Sequence, residues 1–184
     1  NNNAYSREKL TGDIESLESF YRDRGYLKFS IESSQISLSR DMKKIYINFN
    51  ISEGKKYSIS EAEVIGDIPI EEELYESIVS SIEGLTYSQS QISSIEEFFK
   101  NILGNRGYAF AEVSGSTEVD EEINKVKVIF TVLPGKRTYT RKILFTGNNI
   151  TQDHVLRREL RQFEGAWSSN NSIEAGKIRL ERLG

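Results

Sequence analysis

The chain contains no cysteine, which removes disulfides, thiolate metal sites and cysteine nucleophiles together. It has one histidine, His154, and a lone imidazole assembles neither a histidine metal cluster nor a histidine-based catalytic triad. No apolar run approaches the roughly 20 residues that a membrane-spanning helix needs, and no basic-then-apolar leader opens the sequence. Any membrane anchor is therefore expected outside this stretch. A Gly-rich phosphate loop, a Gly-x-Ser-x-Gly elbow and a His-Glu-x-x-His helix are missing as well. Nor is there a surplus of positive charge: 24 basic against 28 acidic residues, net -4, with the signs intermixed, gives no basic face for nucleic acid. Paired carboxylates can cleave glycosides without histidine, but the acidic residues here are scattered over faces that read as exposed. The expectation is a protein that is not an enzyme and that takes no cofactor, metal or nucleic acid.

What is present is a repeat. The segment from Tyr5-Ser6 to Arg24-Gly25-Tyr26 recurs 82 positions on as Tyr87-Ser88 through Arg106-Gly107-Tyr108, with Leu10 on Ile92 and Leu17 on Phe99. The register continues at an offset of 81: Glu53-Gly54-Lys55-Lys56 on Pro134-Gly135-Lys136-Arg137, Gly66 on Gly147, and Glu83-Gly84 on Glu164-Gly165. Fixed spacing of this kind marks tandem units of one architecture. If each unit opens after Gly54 or Gly135, residues 1–54 are the second half of a unit (helix and β-hairpin). Residues 55–135 are then a complete unit, and 136–184 the first half of another (strand and two helices).

In the complete unit Tyr57 to Ile65 reads as a strand turning at Gly66-Asp67. Pro69 and Glu71, Glu72 and Glu73 suit a helix start, with Leu74, Ile78 and Ile82 as its apolar stripe and Gly84 as a left-handed stop. Ser88 or Ser90 caps a second helix, in which Ile92, Ile95, Phe98, Phe99, Ile102 and Leu103 recur at helical steps. A strand from Tyr108 through Phe110 to Val113, an acidic turn at Asp120-Glu121-Glu122 and a strand from Val126 to Val132 close the unit. In the first half-unit a helix at 6–23 precedes Leu27, Phe29 and Ile31 on odd positions and Ile36 and Leu38 on even ones, so a bulge is expected between Glu32 and Gln35. Tyr57 to Gly66 is one residue longer than Tyr139 to Gly147, which predicts a second bulge near Ser60-Glu61. Gly25 and Gly107, at helix ends, are expected at positive φ.

The fold class that follows is α+β: tandem β-α-α-β-β units, each with two helices packed on a three-stranded mixed sheet whose last two strands form an antiparallel hairpin. An 80-residue unit of this order, with Arg-Gly-Tyr before its second strand and Glu-Gly-Lys or Pro-Gly-Lys between units, resembles POTRA domains. The stretch Val155-Leu156-Arg157-Arg158-Glu159-Leu160-Arg161-Gln162, followed by Glu164-Gly165-Ala166-Trp167, resembles the barrel-proximal POTRA of the BamA family. The three pieces would then be the second half of the third, all of the fourth and the first half of the fifth.

The resemblance implies a periplasmic scaffold of a Gram-negative bacterium, in a longer protein anchored in the outer membrane by a C-terminal barrel. Its partners would be accessory lipoproteins of the barrel-assembly complex and unfolded outer-membrane proteins. Client binding falls on an edge strand comprising Lys28, Phe29, Ser30, Ile31, Glu32, Ser33, Ser34, Gln35, Ile36, Ser37 and Leu38. There main-chain hydrogen bonds would give affinity with tolerance for sequence; Lys28 and the bulge are also the devices that protect edges. Lipoprotein docking falls on the helix carrying Arg157, Arg158, Arg161 and Glu164, although Glu83 holds the same repeat position as Glu164, as an architectural residue would. Trp167 suits core or inter-unit packing, or an interface anchor. A rigid spacer that binds nothing is the alternative, as is a POTRA of a secretion transporter or division protein. Partial units of two molecules pairing as a dimer is a further expectation.

Overall fold

The protein, as a computed structural model, is described over residues 7–41 and 44–182. The opening Asn1-Asn2-Asn3, the first repeat's Tyr5-Ser6 and the final Leu183-Gly184 lie outside the described residues. In chain order the elements are α1 (Arg7–Arg22), β1 (Ser30–Leu38), β2 (Ile45–Ser52), β3 (Ser58–Gly66), α2 (Glu72–Ser80), α3 (Gln89–Asn105), β4 (Glu112–Asp120), β5 (Lys125–Leu133), α4 (Asp153–Arg157) and α5 (Asn170–Glu181). One sheet has two strands, β1 and β2; the other has three, in the order β3-β5-β4. The complete repeat is thus β-α-α-β-β.

The chain gathers into two compact units, one of Asn1–Ala62, Val79–Ser93 and Thr117–Val128, the other of Glu63–Ile78, Ser94–Ser116 and Ile129–Gly184. The first buries Phe29, Tyr57, Ile59, Tyr87, Ile92, Val126 and Val128, and the second buries Phe99, Leu103, Val113, Phe130 and Val132. Strand β5 alternates without a break, with Val126, Val128, Phe130 and Val132 all at 0% exposure, as a strand with one wholly covered face must. In the second unit the Phe99 and Phe130 rings meet edge to face at 6.1 Å.

Ser88 is the cap of α3: its hydroxyl accepts from the Gln91 amide at 3.3 Å, filling one of the donors a helix start leaves open. Gly25 and Gly107 adopt φ of +95 and +96. Their place in the chain shows why: a β-carbon on Gly25 would stand 2.9 Å from the Tyr57 carbonyl oxygen, so only glycine combines this φ with so close an approach.

Several expectations are corrected. Helix α2 stops at Ser80, and its inward residues are Ile78 and Val79, with Ile82 in the following turn, whereas Leu74 is exposed. The helix ends early because the chain turns back onto β3: Gly84 donates to the Ile59 carbonyl at 2.9 Å, and Ile59 donates to the Leu85 carbonyl at 2.8 Å. Phe110 is 79% exposed and precedes β4 rather than belonging to it; the Ala111 amide closes a tight turn on the Tyr108 carbonyl. Residues 139–147 form no strand, only an isolated bridge between Tyr139 and Trp167, since no ladder partner like β5 flanks them among the described residues.

The bulge in β1 is present: pairing with β2 shifts between Ile31 and Ser33, leaving Glu32 extra. That single residue accounts for the slip in repeat offset. Beyond it, Tyr57 donates to the Gly25 carbonyl as Thr138 donates to that of Gly107, both at 2.8 Å, so Tyr57 matches Thr138, not Tyr139. The offset is then a constant 81 through β3, so the length difference that suggested the second bulge falls away. Burial along β3 does lose its alternation, Ser60 and Glu61 being exposed between buried Ile59 and Ala62.

Candidate functional site

Three places emerge: the β1 edge, the segment 153–164, and the joints between successive repeats. Strand β1 runs antiparallel to β2, pairing Ser34 with Phe49, Ile36 with Ile47 and Leu38 with Ile45. Its apolar residues thus share one face with those of β2, while Ser33, Gln35 and Ser37 share the other. Eight of its nine residues are exposed, and no strand or side chain among the described residues covers its outer amides. Of the sequence-stated edge residues, Ser30 to Leu38 lie in the strand; Lys28 and Phe29 precede it. Phe29 is 3% exposed and stacks on Tyr21 with ring centroids 4.1 Å apart. Lys28 pairs with Glu121, which raises the lysine pKa and lowers that of the carboxyl.

The arginine-rich stretch is not one helix. Helix α4 ends at Arg157, and Arg158, Arg161 and Glu164 follow in tight turns, with Glu159 and Leu160 donating three residues back. The break has the same cause as in α2: Gly165 donates to the Thr140 carbonyl at 2.7 Å and Thr140 to that of Ala166 at 2.9 Å. Arg157 is fully engaged. It donates to Asp153 Oδ2 at 2.7 Å, to the Ile143 carbonyl at 2.9 Å and to Glu164 Oε1 at 3.1 Å. The bonds to Asp153 and then Glu164 raise its pKa. Glu164 also accepts the Ile143 amide at 2.8 Å, and that bond, with Arg157, lowers its carboxyl pKa.

Glu83 does the same one repeat earlier, accepting the Ala62 amide at 3.1 Å. The bond thus recurs in the two repeats where both partners are described, which gives Glu164 an architectural place. Arg158 pairs with Glu159 at 3.4 Å, whereas exposed Arg161 has no ion-pair or hydrogen-bond partner among the described residues. Beside them lies an open depression of about 450 Å3 lined by Ile143, Leu160, Phe163 and Glu164 among others, with Phe163 64% exposed.

Sequence reasoning missed the joints. In the first, Asp23 accepts the Ser90 hydroxyl at 2.7 Å, the Ser90 amide at 2.8 Å and the Ser88 hydroxyl at 3.2 Å. In the second, Asn105 accepts the Asn171 amide at 2.8 Å and the Ser169 hydroxyl at 3.3 Å. Each residue at the end of one repeat's helix thus caps the next repeat's helix. The signal was present: Asp23 and Asn105 stand 82 apart, directly before the two Arg-Gly-Tyr triplets. At the second joint Arg137 lies over the Trp167 ring, 4.2 Å from its centroid, and Trp167 is half exposed, consistent with packing between repeats. Among the described residues no cluster of acidic, histidine or cysteine side chains is arranged to hold a metal, and no helix is long and apolar enough to cross a membrane.

A family model described as "POTRA: Surface antigen variable number repeat" matches residues 1–54, 57–135 and 138–184. The outer membrane protein assembly factor BamA of Buchnera aphidicola is 32% identical over 97% of this chain, and that of Neisseria meningitidis serogroup B 31% identical over 99%. The chain spans less than a third of the length of these relatives, 29% and 23%. Among solved structures, the POTRA3-5 fragment of Haemophilus influenzae BamA aligns with 99% of this chain and 72% of its own, at a TM-score of 0.85 and 30% identity. A Haemophilus ducreyi BamA lacking POTRA domains 1-3 aligns with 70% of this chain and 24% of its own, at a TM-score of 0.64 and 43% identity. These matches agree with the β-α-α-β-β order already seen in the molecule: the chain belongs to the POTRA family.

Proposed function

We propose that this chain is part of the periplasmic scaffold of an outer-membrane β-barrel assembly machinery, non-enzymatic, in a longer protein seated in the outer membrane. Residues 1–54, 55–135 and 136–184 act as successive repeats. The observation that carries the reading is the β1 edge, a row of exposed main-chain groups unclaimed among the described residues, to which an unfolded barrel protein adds a strand. Such pairing reads main chain rather than side chain, so it accepts many clients. The relatives' shared description as assembly factors supports the setting. An accessory lipoprotein docks on the 153–164 segment, through Arg161, Arg158 and the depression beside Phe163. A spacer reading is favoured by one observation, the recurring bond in which Glu83 and Glu164 each accept from a backbone amide.

A paired capture assay tests the proposal. Ser34→Pro removes an amide from β1, and Arg161→Glu reverses a charge with no partner to disturb; Glu164→Lys and Arg157→Glu are poorer probes because they also break the bond to Ile143. Ser34→Pro is expected to weaken capture of an unfolded barrel protein by about tenfold or more, leaving lipoprotein capture intact. Arg161→Glu should do the reverse. Wild-type protein that captures neither would favour the spacer, and a longer chain completing the last repeat would separate that from a piece too short to bind.

A further inference from the structure

The two sheets treat their edges differently. In the β3-β5-β4 sheet β3 and β4 are the outer strands. Along β3, Gly84 and Leu85 bond to the backbone of Ile59, Tyr87 bonds to that of Tyr57 just before the strand, and Glu83 takes the Ala62 amide. On β4, Glu96 of α3 reaches over the strand, and its Oε1 accepts the Gly115 amide at 2.5 Å. That amide faces away from β5. The Ser116 hydroxyl donates to the Ile129 carbonyl at 3.3 Å, so Ile129 directs its carbonyl at β4 beside Ser116, and the amide one residue earlier points outward, as antiparallel alternation requires. Both edges of the complete repeat therefore carry a glutamate on a main-chain donor.

Among the described residues the first half-repeat shows no such device on β1. With the Glu32 bulge included, Gly115 corresponds to Ser34, and Glu96 corresponds to Ile14, a half-buried aliphatic residue with nothing to accept a hydrogen bond. No side chain among the described residues takes an amide of β1. The outer side of β2 is also unpaired among the described residues, but β5, its counterpart, carries β3 there, so that side is the place of a repeat's own first strand.

We propose that Glu96 is a specificity-determining gate: its carboxylate closes the β4 edge to strand addition, and its replacement by Ile14 in the preceding repeat leaves β1 as the edge that accepts an extended polypeptide. An incoming strand needs the outward amides of its host as donors. A carboxylate already holding one makes a charge-assisted bond that the newcomer's neutral carbonyl must displace, and its negative charge opposes the carbonyl's approach. This rests on the reading of β1 as the client edge and adds why the similar strand 82 residues on is not one.

The test is a titration of the isotopically labelled chain with a nine-residue synthetic peptide of alternating apolar and polar residues, followed by amide chemical shifts. In the wild type, shifts are expected along β1 at Ser34, Ile36 and Leu38 and not along β4. Glu96→Ala should add a second set around Gly115, whereas Glu96→Gln, which keeps an acceptor oxygen, should keep β4 silent. Wild-type shifts on β4, or a folded Glu96→Ala variant silent on β4 while β1 responds, overturn the gate and leave the client edge standing. Shifts on β4 in Glu96→Ala with none on β1 support the gate and remove the client edge. Should both variants unfold, hydrogen exchange in the wild type decides: Gly115 protected and Ser34 fast supports the gate, and a fast Gly115 refutes it.

Discussion

Phe130→Ala is expected to lower the stability of the complete repeat by about 3–5 kcal/mol, the range for removing a buried aromatic ring from a core that does not collapse around the gap. Phe130 is at 0% exposure on the strictly alternating face of β5, its ring meeting that of Phe99. A domain of this size is stable by only about 5–15 kcal/mol in total, so one such loss consumes a large part of the margin. Urea unfolding followed by circular dichroism should show a lower midpoint with little change in slope. A loss below about 1 kcal/mol would mean that the face is not a closed core. The β1 edge depends on no such residue, its strand being almost wholly exposed.

Asp23→Ala is expected to cost on the order of 1–2 kcal/mol at neutral pH, because three bonds to the start of α3 go with it and water replaces them only in part. The pH dependence has a definite sign. Burial pushes the Asp23 carboxyl up, but the Ser90 hydroxyl, the Ser90 amide and the Ser88 hydroxyl outweigh it and hold the group below its ordinary value. A carboxyl whose folded pKa is depressed contributes stability that is complete above its unfolded pKa and lost as pH falls through the folded one. Melting of the wild type and of Asp23→Asn, which mimics the natural Asn105, should therefore differ at pH 7 and converge below the usual aspartate range. A difference that stays constant down to acid pH would show that the charge of Asp23 plays no part in the joint.

Much of this was legible in the sequence because it rests on periodicity. The 82-residue self-match pointed to the repeats, and the β-forming run from Val126 to Val132 pointed to β5, whose buried alternation appears only in the structure. The parity change between Ile31 and Ile36 placed a bulge between Glu32 and Gln35, and the extra residue is Glu32, at the near end of that window. What was not legible depends on where backbone goes after an element ends. Nothing in Val155 to Gln162 says that the helix stops at Arg157, because the cause is a return of Gly165 to Thr140, and Phe110 looked like a strand residue since its alternation with Tyr108 is fortuitous. The match of Glu164 to Glu83 hinted at an architectural role, but the bonds that Arg157 and Glu164 make to the Ile143 backbone carry no side-chain signal. Asp23 and Asn105 were visible as a repeated pair, but only the distance to the next repeat's helix explains them.

The central claim is that β1 takes up an added strand through its main chain, and the most direct measurement is hydrogen exchange of the β1 amides with and without a saturating strand peptide. Slowed exchange at alternate positions, Ser34, Ile36 and Leu38, with Ser33, Gln35 and Ser37 unchanged because they already face β2, is the predicted result. Uniform exchange rates on both sets, unaltered by peptide, would contradict the account.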